Sequence, residues 1–126
     1  MSELEELERK VKEFINKVSA DFGVSPPKVR FARPAFADVA GWYDEYEKEI
    51  VLNSEYINLE SALHEFAHHL QNLRGVLARV SREEFGKVHC ERGFEREAKG
   101  FAVAYQDFYR DTWKKIVGVE RGVLPR

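Results

Sequence analysis

His64-Glu65-Phe66-Ala67-His68 sets two imidazoles four residues apart, with a carboxylate directly after the first. On a helix, four steps of about 100° nearly close one turn, so His64 and His68 project from one face and can share a cation. Glu65 falls about 100° round from His64, beside such an ion rather than on it. A carboxylate placed there can take a proton from a polarised water. The pattern points to zinc-assisted hydrolysis, in which the histidines chelate and the glutamate acts as base.

A catalytic zinc site takes three protein ligands and leaves one position for water, so a third ligand must come from elsewhere. His69 is rotated about 100° from His68 and suits solvent or a backbone carbonyl better than the same ion. His89 and Cys90 lie in the least regular stretch and are reserve candidates. Glu95 and Glu97 open a C-terminal helical segment about 200° apart, so at most one of them can face the ion. Glu97 precedes Ala98 and shares a side with Phe94 and Phe101. A carboxylate among large apolar neighbours needs a cation to offset its desolvation, which makes Glu97 the expected ligand and Glu95 the alternative. Otherwise both are helix-start glutamates favoured by the N-terminal dipole.

These residues need elements to position them. Ser2 to Phe22 carries Leu4, Leu7, Val11, Phe14, Ile15 and Val18 at helical spacing, with Ser2 and Glu5 as a capping box and Gly23 as the stop. Beyond Pro26-Pro27 the period changes, and three short strands are expected: Val29 to Phe31, Phe36 to Tyr43, and Glu49 to Asn53. The last two are joined by a polar turn over Asp44 to Lys48 and can form a hairpin. Leu59, Leu63, Phe66, Ala67 and Leu70 give the motif segment, Leu59 to Leu73, an apolar side that ends at Gly75. Val76 to Gly93 is irregular, with Ser81 and Glu84 as a cap for a short helix over Arg82 to Val88. Helical spacing returns from Phe94 to Val117, and Val119 to Arg126 is expected to be an irregular tail. The expected class is α+β in a single domain over 1–126: an N-terminal helix (1–23), a sheet (28–53), the motif helix (59–74), the glutamate helix (94–117) and the tail (119–126).

A length of 126 residues allows one real core. A net charge of −2 and a pI near 6.1 give no electrostatic footprint for nucleic acid. Acidic residues interrupt the basic stretch from Arg74 to Arg92, which suits a solvated face. No apolar run is long enough to span a bilayer, and the acidic, amphipathic start does not resemble a secretory signal. A lone Cys90 rules out an internal disulfide. A cytoplasmic location is therefore expected. Abundant Glu, Lys and Arg beside scarce Gln, Asn, Cys and Met lean toward a thermophilic source.

Leu63-His64-Glu65-Phe66-Ala67-His68-His69, followed by Glu97-Ala98-Lys99-Gly100-Phe101-Ala102, resembles the gluzincin metallopeptidases. The approach Gly41-Trp42-Tyr43 and Ile50-Val51-Leu52-Asn53 looks most like the compact minigluzincins, and more loosely like the ImmA/IrrE-type peptidase domain. The resemblance covers roughly Lys28 to Tyr109. It implies a zincin-like fold, a small twisted sheet over the motif helix, and one catalytic zinc held by His64, His68 and the glutamate before the alanine, Glu97. It further implies hydrolysis of a peptide or unfolded protein lying along the sheet edge, with Glu65 as general base and acid. No histidine is placed like the transition-state-stabilising one of large gluzincins; Tyr105 and Tyr109 are substitutes, though core packing suits both better. Some minigluzincins are held latent by a chain terminus in the cleft, a role open to Arg121 to Arg126. The alternative function is a non-catalytic zinc-binding or partner-binding regulatory module on the same fold.

Overall fold

The computed structural model describes residues 2–33, 39–75 and 93–122. Its elements are α1 (Glu3–Asp21), β1 (Lys28–Ala32), β2 (Gly41–Asp44), β3 (Glu49–Asn53), α2 (Leu59–Leu73) and α3 (Gly93–Ile116). The class is α+β, with three helices and one small mixed sheet among the described residues.

Ser2 caps α1 by accepting from the Glu5 amide, satisfying one of the helix's orphan donors. The reciprocal half of the capping box is absent, because the Ser2 hydroxyl itself donates to the Glu5 carboxylate. Val11, Phe14, Ile15 and Val18 are wholly buried, each contributing about 1.5–3 kcal/mol of apolar transfer. Leu4, the first residue of the expected stripe, stays largely exposed. Gly23 ends the element at φ +68°, a conformation a side chain resists.

In the sheet, β3 lies between β1 and β2. It pairs parallel with β1, Val29 opposite Ile50, and antiparallel with β2, Tyr43 opposite Ile50. Ile50, Val51 and Leu52 are all fully buried, the signature of a central strand covered on both faces. The hairpin turn is held by Asp44, whose carboxylate accepts from the amides of Tyr46 and Glu47.

β2 is shorter than the expected strand from Phe36 to Tyr43, of which residues 34–38 lie outside the described part. Asn53 carries the contact with this segment back past Gly41 by holding both Ala40 and Val39. Its amide N–H donates to the Ala40 carbonyl, and its side chain donates to the Val39 carbonyl. On the outer side of β1, the Glu8 carboxylate accepts from the Phe31 amide.

α2 spans the expected range and is capped by Asn58, which accepts from the Ser61 amide. α2 and α3 form the most extensive helix pair. Ala98 and Ala102, buried in α3, let the backbones approach closely, while Tyr109 and Trp113 lower down meet Phe14 edge-on at 5.8 and 5.0 Å. The Tyr109 hydroxyl donates to Asp21, and Tyr105 packs against Phe22 and Phe101, so both tyrosines serve the core. Among the described residues no helix is long and apolar enough to cross a membrane.

Candidate metal centre

The i, i+4 spacing on α2 brings the rings of His64 and His68 to 5.0 Å between centroids, nearly perpendicular. The carboxylate that meets them comes from the first turn of α3, and it is Glu95. Its Oε2 lies 3.1 Å from His64 Nε2 and its Oε1 lies 2.8 Å from His68 Nε2. Ligand atoms of the three residues all fall within 4.8 Å of one another. His68 and Glu95 are buried, and His64 is partly open.

Glu97, the expected ligand, is not brought to this cluster; Glu95, the alternative, is. Its carboxylate points to the outside of the helix pair, where it accepts from Arg74 at 2.7 Å and from the Gln71 amide at 3.1 Å. The reason lies in how α3 packs. Its buried residues are Glu95, Ala98, Ala102, Tyr109 and Trp113, at i, i+3, i+7, i+14 and i+18 along one stripe. Phe94 and Phe101, the large residues on the side of Glu97, are only partly buried. The small alanines fill the buried centre of the contact with α2, Phe94 and Phe101 pack at its margins against His68 and Phe66, and Glu95 is on the alanines' side.

Glu65 is 7% exposed, and among the described residues its side chain accepts no hydrogen bond. Burial pushes its carboxyl above the ordinary range, against the pull of His64 and His68. It lines a cleft of about 520 Å³ together with His64, His68, Phe94 and Glu95, whose opposite wall is Gly41 to Tyr46. The wall strand β2 pairs with β3 on one side only among the described residues. Trp42 on it and Tyr46 in the turn that follows are exposed.

Burial works against the protonated His68 ring, but hydrogen bonds to Glu95 and Gln71 and the charge of Glu65 outweigh it, raising its pKa. Glu95 is held well below the carboxylate range: both histidines hydrogen-bond to it, overcoming its desolvation. His69 lies outside this cluster, as its rotation on the helix required. Its Nε2 donates to the Ser25 carbonyl at 2.8 Å, so Nδ1 is the acceptor for the Tyr43 hydroxyl at 2.8 Å. Desolvation lowers the pKa of that ring, favouring its neutral form.

His89, Cys90, the short helix expected over Arg82 to Val88, and the tail from 123 onward lie outside the described residues. The described start of the tail packs on the entrance to α2: Arg121 N–H donates to the Ile57 carbonyl, and Glu120 accepts from the Leu59 amide. Sequence reasoning passed over Gln71 altogether. It is fully buried and bonded to His68, Phe94 and Glu97, and its spacing from His68, three residues along the helix, was the available signal.

No protein-family model matches the chain, and neither the curated proteins nor the solved structures contain a significant match to it.

Proposed function

We propose that this protein is a zinc-dependent peptidase of the gluzincin kind, with His64, His68 and Glu95 as metal ligands and Glu65 as general base. One observation carries the reading: a buried carboxylate with no hydrogen bond among the described residues sits beside a His, His, Glu donor set, in a cleft walled by a strand edge. Two imidazole nitrogens and one carboxylate oxygen suit zinc and leave a coordination position open. Zinc held there lowers the pKa of a water towards 7 and polarises a carbonyl.

The chain's own residues supply the rest. Glu65 takes the water's proton on its carboxylate and passes it to the amine of the departing peptide. Its partial desolvation makes it a stronger base than an exposed glutamate, because burial favours the protonated form it must adopt in mid-reaction. Among the described residues β2 pairs on one side only, and along its other side, at the cleft, an extended peptide can add as a further strand. Trp42 and Tyr46 provide exposed aromatic surface at its rim.

The test is metal analysis of purified protein followed by cleavage of an unstructured protein such as casein. About one zinc per chain and cleavage that Glu65→Gln abolishes are expected. Absence of zinc, both as purified and after titration, rejects the site. Zinc binding without cleavage, in the full chain and in a form ending at Gly122, replaces the peptidase with a zinc-holding binding module.

A further inference from the structure

Gln71 has the geometry of a metal-site component without reaching the metal position. Its side chain is fully buried between α2 and the first turn of α3. The amide nitrogen is 2.9 Å from the Phe94 carbonyl oxygen and 3.1 Å from Glu97 Oε1, and the amide oxygen is 2.8 Å from His68 Nδ1.

Chemistry fixes which way this amide lies. A main-chain carbonyl can only accept, so the group facing Phe94 must be the NH₂. Turning the amide over would set its oxygen against two acceptor oxygens and lose both bonds. With the nitrogen so committed, the oxygen faces His68 Nδ1, and that nitrogen must carry the proton. In the neutral ring the lone pair is then on Nε2, the atom 2.8 Å from Glu95 Oε1 and directed into the cluster. The same side chain also grips the residue just before Glu95, so one amide governs the aim of two of the three donors.

We infer that Gln71 is a positioning residue for metal capture: held by Phe94 and Glu97, it fixes His68 in the Nδ1–H form that presents Nε2 to the ion, and it locks the α3 turn that carries Glu95. The inference rests on the metal site proposed above. It gives Glu97 a role through Gln71 in place of direct ligation. Partners of this type, behind a ligating histidine, typically alter metal affinity 10–100-fold.

The experiment measures zinc affinity by competition with a chromophoric chelator for the full chain and for Gln71→Met, which keeps the volume and removes both polar atoms. The affinity is expected to fall 10–100-fold. In parallel, ¹⁵N–¹H spectra of the zinc-loaded unmodified protein should show a protected His68 Nδ1 proton, with Nε2 on the metal. That measurement stands even where Gln71→Met fails to fold. Gln71→Met affinity equal to that of the unmodified chain, or a His68 bound through Nδ1, overturns the positioning role alone. An unmodified chain that binds no zinc overturns both this inference and the site beneath it.

Discussion

Replacing Glu95 by Gln removes one negative charge and leaves the shape of the site intact, so it isolates what that charge contributes. The carboxylate is 7% exposed and touches the Nε2 atoms of His64 and His68 at 3.1 and 2.8 Å. Loss of an outer hydrogen-bond partner of a ligand costs about 10–100-fold in metal affinity, so loss of a directly binding anion should exceed the top of that range. We expect a drop of more than about 100-fold, or ~2.8 kcal/mol at 1.4 kcal/mol per tenfold. Glu97→Gln should change zinc affinity little, because its side chain is 56% exposed and an amide oxygen there still accepts from Gln71. Its lost ion pair with Arg74 is of the exposed kind worth about 0–1 kcal/mol. Chelator competition on both variants gives the two constants. A Glu97→Gln loss equal to or larger than the Glu95→Gln loss refutes the assignment of the third ligand.

The same substitution has a pH signature in metal-free protein. His68 is raised above its ordinary 6.5, so its share of the stability is full below that value and lost as pH rises through the folded pKa. Glu95 is lowered from 4.5, so its share is present above that value and lost as pH falls through the folded pKa. Glu95→Gln should therefore cost metal-free protein most between pH 4.5 and 6.5, and less as pH rises through the folded pKa of His68. The cost should be less than the ~3–5 kcal/mol of an orphaned buried charge, because His68 can shed its proton. Urea unfolding at several pH values reads it; a cost independent of pH contradicts the pairing.

Three further outcomes follow from the geometry. Glu65→Gln should retain zinc and lower peptide hydrolysis by about 10²–10⁴-fold, measured as kcat on casein or a peptide. Gly41→Ala should destabilise the edge strand by about 1–3 kcal/mol in urea unfolding, since the added Cβ would lie 2.8 Å from the Val51 carbonyl oxygen and 3.1 Å from Leu52 Cδ2. Tyr43→Phe should cost about 1–3 kcal/mol by the same assay, because His69 Nδ1 loses its donor while buried; a variant as stable as the parent removes that hydrogen bond from the account.

Much of this protein is written locally. The period of Leu7, Val11, Phe14, Ile15 and Val18, the stop at Gly23, and the run Ile50-Val51-Leu52 place α1 and β3 within a residue or so. The bounds of α2 follow from its apolar side and Gly75, and the shared face of His64 and His68 follows from helical geometry alone. Those features depend on residues within a turn or two of one another, and backbone geometry converts their spacing directly into direction.

What joins distant segments was not legible in that way. The parallel pairing of β1 with β3, and the place of β2 at the edge beside the cleft, are set by how the layers close over the core. The choice between Glu95 and Glu97 turns on about half a helical turn of rotation of α3. Sequence spacing left both open, because large aromatics and small alanines offer two different inner faces. Packing resolves it: Ala98 and Ala102 admit α2 at close range, Phe94 and Phe101 are pushed toward the margin, and Glu95 turns inward with the alanines. Thus the sequence by itself determined that two histidines would share one helical face with a glutamate beside them. Only the tertiary structure decided which carboxylate meets them and that Gln71 stands behind His68, because both depend on the rotation of one helix against another.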